Sequence, residues 1–195
     1  MCRLASFFHN PATGDVVVGV LDHHQATVEK LKLDQKIWRE GHYLPDGTIE
    51  ARVQDNDRVT QDECNERIRN RWPSFGKFLS WALREIEQNE VYPGPLDLSG
   101  LTSAKDLVLP KTISGGLYLS GLTSAKDLVL PKTISGGLDL RGLTSAKDLV
   151  LPKTISGWLD LRGLTSAKDL VLPKTISGGL DLSGLSYDEK KKLGL

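Results

Sequence analysis

From Leu96 onward the apolar positions of this chain recur with a period of 21 residues. The unit LDLSGLTSAKDLVLPKTISGG begins at Leu96, Leu117, Leu138 and Leu159, and a truncated copy, LDLSGLS, begins at Leu180. Within a unit, apolar and other residues alternate in two short stretches, LDL (Leu96, Leu98) and LVL (Leu107, Leu109). This period of 2 predicts two short strands per unit, each half-buried on one face. Leu101, Ala104 and Ile113 supply further inward side chains. Pro110 follows the second stretch directly, so that strand should be short and weakly paired. Gly100 and Gly115 recur in every full copy and suit corners that need a positive φ. One such unit leaves its leucines uncovered until a neighbour stacks on it, so the repeat predicts a solenoid of parallel strands. At the C-terminus, Ser186, Tyr187, Asp188 and Glu189 form a capping-box pattern that opens a short helix through residues 190–193. Its charge would close the last coil to further strand addition.

The first half is patterned differently and holds no repeat. The stretches RLASFF (3–8) and VVVGVL (16–21) predict two strands joined by the turn NPATGD, and Asp22 is placed to cap a helix over 24–32. The segment HYLPDGTIEARV (42–53) carries a Pro-Asp-Gly turn between two extended stretches. Cys64, Ile68 and Trp72 then lie four apart on one helical face. After Pro73, the residues Phe75, Phe78, Leu79, Ala82 and Ile86 form an amphipathic stripe expected to dock on the sheet. The expected fold class is therefore α+β (order ββαββαα) over residues 1–90, followed over 91–195 by a β-solenoid with a C-terminal helical cap.

Over residues 96–186 the string L-x-L-x-x-L-T-S-x-x-x-L-x-L-P-x-x-I resembles the short leucine-rich-repeat-like units of bacterial and bacteriophage proteins. The resemblance implies parallel β-stacking and a ligand-binding face, and it names no ligand. A standard leucine-rich repeat carries Asn or Cys after L-x-L-x-x, where this chain has Leu101, Leu122, Leu143 and Leu164. A flattened two-sided solenoid and a curved horseshoe both remain open on that ground. Copies this nearly identical imply recent duplication, common in bacterial and phage accessory genes, and suggest a phage-borne inhibitor of a host protein.

Composition narrows the function. With 25 basic and 25 acidic residues the formal net charge is zero, which argues against a general nucleic-acid or membrane-surface binder. No apolar run approaches the roughly 20 residues of a membrane span, and no signal-peptide pattern opens the chain. Two cysteines, Cys2 and Cys64, are too few for a disulfide framework, and the expectation is a cytoplasmic protein with reduced thiols.

Candidate chemistry is sparse. Cys2 could become an N-terminal nucleophile after Met removal, which would make the protein a small hydrolase, but a small residue leading into the first strand explains it as well. His9, His23, His24, His42, Cys2 and Cys64 lack the close spacing of a zinc site. Nothing resembles a phosphate loop or a Ser-His-Asp arrangement, so no catalytic residue, metal or cofactor is expected. Two lysine rows, Lys105/Lys126/Lys147/Lys168 and Lys111/Lys132/Lys153/Lys174, could track the phosphates of a nucleic acid or another anionic ligand. Asp106, Asp127, Asp148 and Asp169 neutralise much of the first row. Residues 96–186 carry ten basic and eight acidic side chains, a net of only +2.

The sharper signal is where the copies differ. Eighteen of the 21 unit positions are identical in all four full copies, so the variation is confined to three. One precedes the first leucine (Gly116, Gly137, Trp158, Gly179), one follows it (Asp97, Tyr118, Asp139, Asp160, Asp181), and one follows the second leucine (Ser99, Ser120, Arg141, Arg162, Ser183). These offsets share parity, so on a strand all three point to one side, away from the core. Tyr118, Asp139, Arg141, Trp158, Asp160 and Arg162 are thus expected to form a face for a protein partner. Trp, Tyr and Arg are the side chains most enriched at binding hot spots. Lys105, Lys111 and Thr112 should also face outward yet do not vary, so drift at tolerant positions accounts for the pattern less well.

Overall fold

The computed structural model describes residues 6–18, 24–86 and 90–195. Cys2, Asp22, His23 and the outer parts of the stretches 3–8 and 16–21 lie outside the described residues. The chain divides into two compact units, Met1–Ile86 and Glu87–Leu195.

In the first unit β1 (Ser6–His9), β2 (Val16–Val17), α1 (His24–Leu31), β3 (Arg39–Tyr43), β4 (Ile49–Ala51), α2 (Gln61–Arg71) and α3 (Phe75–Ile86) follow the expected ββαββαα order. The strands make an antiparallel sheet in the order β2-β1-β3-β4. Thr60 caps α2, its hydroxyl accepting from the Glu63 amide while the Glu63 carboxylate accepts from the Thr60 amide at 2.7 Å. The stripe on α3 is buried throughout, and Phe78 packs its ring edge-on against Phe7 of β1, with centroids 5.5 Å apart. Tyr43 joins the same cluster and donates its hydroxyl to the Trp72 carbonyl at 3.0 Å, which satisfies a fully buried polar atom.

The second unit is a parallel-strand β-solenoid. Its first face is a five-stranded sheet of β6 (Leu96–Asp97), β8 (Leu117–Tyr118), β10 (Leu138–Asp139), β12 (Leu159–Asp160) and β14 (Leu180–Asp181). Leu138 pairs with Leu117 on one side and Leu159 on the other, so every copy stacks in register. Leu138, Leu140, Leu143 and their equivalents in neighbouring coils are buried and form a continuous core.

The second strand of each coil is not LVL. It is the Thr-Ile pair: β7 (Thr112–Ile113) and β9 (Thr133–Ile134) form one parallel sheet with β5 (Val91–Tyr92), which precedes the first unit, and β11 (Thr154–Ile155) and β13 (Thr175–Ile176) form another. The reason lies just upstream of LVL. Asp106, Asp127, Asp148 and Asp169 adopt φ of 61–65° within a tight turn, in which the Leu107 amide donates to the Ala104 carbonyl in the first coil. The chain leaves this turn and reaches Pro110, which has no amide to donate, before it can enter a ladder.

The same aspartates correct the reading of the glycines, since neither Gly100 nor Gly115 has a positive φ. Asp tolerates the left-handed region because its short side chain bonds locally. The glycines serve close stacking instead: a Cβ on Gly121 would overlap the Ser99 carbonyl oxygen, and one on Gly136 would overlap backbone of Gly116 and Gly115.

The chain ends in α4 (Tyr187–Lys192), capped by Ser186, whose hydroxyl accepts from the Glu189 amide. The Glu189 carboxylate does not return to the cap as a capping box requires. It reaches the preceding coil, accepting from the Ala167 amide at 2.5 Å and the Ser166 hydroxyl at 3.0 Å. Leu182 and Leu185 are buried, whereas Leu180 of the same last coil and Ile176 of the coil before it are only half-buried.

Candidate functional site

The varying positions do fall on one side of the five-stranded sheet, but its surface is not uniform. Asp139 and Asp160, adjacent on β10 and β12, are each 3 % exposed. Two carboxylates on neighbouring rungs repel, and the arginines two residues further along each strand relieve this. Arg141 donates from Nε to both oxygens of Asp139 at 2.9 Å and reaches Asp160 at 3.6 Å. Arg162 repeats the arrangement, bonding Asp160 at 2.6–2.9 Å and Asp181 at 3.2 Å. The ladder runs Asp139, Arg141, Asp160, Arg162, Asp181, with the carboxylates beneath and the half-exposed guanidinium groups on top. Bonding to these aspartates raises the pKa of both arginines, which stay charged. Where Ser replaces Arg, the aspartate bonds the serine instead, as in Ser99 Oγ donating to Asp97 at 2.6 Å, and Asp97 remains exposed.

Beside the ladder lies an aromatic strip. Trp158 does not project straight into solvent. Its indole folds back over Gly137 of the preceding rung, where a Cβ would overlap the ring. Tyr118 brings its hydroxyl end over Gly116, two residues earlier on its own rung, and its ring centroid lies 6.1 Å from that of Trp158 at 41°. Trp158 is still 37 % exposed. On its other side Gly179 has nothing within 4 Å of where a Cβ would stand. Here Trp158, Asp160, Arg162, Gly179, Leu180 and Asp181 line an open depression of about 400 Å³. The six expected face residues are thus neighbours, but only Tyr118, Trp158 and the two arginines present substantial surface. Gly137 and Gly179 belong to the face as its seats, and the only signal for them in the sequence was their place in the Trp158 column.

The other candidates are dispersed. His9 donates from Nε2 to the Arg52 carbonyl at 2.8 Å, and burial lowers its pKa. His42 lies 3.2 Å from Glu40. Cys64 is buried in α2, and burial pushes its thiol pKa up, away from a reactive thiolate. Among the described residues no group of three His, Cys, Asp or Glu is placed to hold a metal ion. No helix there is long and apolar enough to cross a membrane. Both lysine rows are exposed along the stack, and Lys111 pairs with Glu90 at 2.5 Å.

The chain matches no protein-family model, no curated protein and no solved structure with which it was compared.

Proposed function

We propose that the protein is a non-enzymatic binding protein that grips a protein partner through the Tyr118–Trp158 strip and the adjoining arginine-aspartate ladder. One observation carries this reading: Trp158 lies across Gly137 with a third of its surface open, beside an unfilled depression over Gly179. On the other side of Trp158 the equivalent glycine, Gly137, is covered by an aromatic ring, so the depression over Gly179 suits an aromatic or flat apolar side chain from the partner. Asp181, more than a third exposed, would take a cation next to it. An aromatic anchor beside a mixed-charge rim suits a polar protein surface better than a polyanion. The arginines are already engaged by aspartates, which supports a protein over a nucleic acid. In its sharpest form the reading is a leucine-rich-repeat-like inhibitor, carried by a bacteriophage, that blocks a host protein; the near-identical copies support this.

The test is a pull-down from bacterial lysate with the full chain, followed by affinity measurement on the purified partner. Trp158→Gly restores the residue present in the other copies, so circular dichroism should be unchanged. Binding should weaken by roughly 2 kcal/mol or more, as loss of a hot-spot anchor does. Equal affinity of the two chains overturns the assignment.

A further inference from the structure

The segment between the aspartate turn and the Thr-Ile strand carries an apolar row that the Trp158 face does not involve. Val129, Val150 and Val171 stand on successive coils at 73 %, 77 % and 77 % exposure, with Val108 continuing the row at 59 %. Beside them Leu109, Leu130, Leu151 and Leu172 are half-buried, which widens the strip to two residues per rung. One edge of the strip is a row of exposed aspartates, Asp127, Asp148 and Asp169, and the other a row of exposed lysines, Lys132, Lys153 and Lys174. Among the described residues none of these six forms an ion pair. Like charges one rung apart, at about 4.8 Å, repel along each row. Lys126, Lys147 and Lys168, one residue before the aspartates, offset that row from its outer side without pairing with it, whereas Lys132, Lys153 and Lys174 have no acidic row beside them in sequence.

We propose that two copies of this chain pair through the valine rows as a parallel two-fold dimer. Symmetry selects the occupant and its direction. A two-fold axis along the stack, lying in the interface, exchanges left and right edges but keeps each rung level with its counterpart. Every aspartate row then faces the partner's lysine row, on both sides of a shared valine seam. A two-fold axis across the stack would set aspartate on aspartate and lysine on lysine, which repulsion excludes. A second copy therefore covers the apolar strip and neutralises both charged rows together. The four valine rungs span only about 14 Å, so the dimer is small and its population depends on concentration.

Sedimentation equilibrium and light scattering of the full chain, from about 1 to about 300 µM, test this. A monomer–dimer equilibrium is expected, and the double variant Val129→Asp with Val150→Asp should weaken it at least a hundredfold, about what losing two buried valines implies. These positions are exposed in the single chain, so circular dichroism and melting verify that the variant folds. A strictly monomeric wild type overturns the proposal, as does a dimer indifferent to the double variant. Direction is read with Val150→Cys in a Cys2→Ser background under mild oxidation, with the wild-type chain treated identically. In the parallel dimer Val150 faces its own copy, so Val150→Cys should cross-link to itself. Cross-linking only when mixed with a Val129→Cys chain would overturn the parallel arrangement.

Discussion

The indole of Trp158 lies on Gly137, one coil earlier, so closely that glycine is the residue that fits beneath it. The tryptophan is therefore anchored on the stack and only partly offered to solvent. The two positions should be energetically coupled, because Gly137→Ala must displace the ring. In the Trp158→Gly background the same alanine meets no ring and should cost little. A denaturant double-mutant cycle is expected to give a coupling of about 1–2 kcal/mol. A coupling near zero would mean that the indole does not rest on Gly137 in solution.

Leu140 is fully buried between Leu119 and Leu161 in the middle of the stack. Truncation there cannot be relieved by local collapse, since both neighbouring coils are held by ladder hydrogen bonds on either side. Leu140→Ala should cost about 2–5 kcal/mol in urea unfolding. The equivalent Leu182→Ala, at the end of the stack, should cost less, because one side is free to relax.

Glu189 ties the terminal helix to the fourth coil. Its bonds to the Lys192 ammonium and the Ala167 amide lower its pKa from 4.5 to about 2. A depressed carboxylate pKa contributes stability that is complete above 4.5 and is lost as pH falls toward 2. Glu189→Gln should therefore flatten this part of the pH–stability curve. Thermal melts of both chains across the window check it, and parallel curves would show that the carboxylate makes no such tie.

His9 gives the complementary case. Burial favours its neutral form and lowers its pKa below 6.5, although the bond to the Arg52 carbonyl opposes this. The unfolded chain therefore takes up the proton first, and stability should begin to fall as pH drops below 6.5. His9→Gln should remove that slope. The ring's titration, followed by NMR, should have its midpoint below that of an exposed histidine.

The stack is written in the repeat. A 21-residue unit repeated almost without change forces the same geometry on every rung, so register, inward leucines and parallel pairing follow from periodicity alone. The helix stripe from Phe75 to Ile86 is equally legible in the sequence, because an apolar face spaced at 3.6 residues has to be covered. The outer face took its form from contacts between coils. Parity placed Asp139 and Asp160 outside the core, but their burial depends on arginines long enough to lie across two rungs. Whether Trp158 points outward or lies back depends on a glycine 21 residues away, which no local pattern reports. The corner assigned to Gly100 and Gly115 went to Asp106, because glycine was needed where coils approach each other too closely for a Cβ. The second strand moved from LVL to Thr-Ile for a related reason. Alternation marks which side chains can face inward, but the aspartate turn and Pro110 bend the backbone at LVL, and the inter-coil strand ladder forms past them at Thr-Ile.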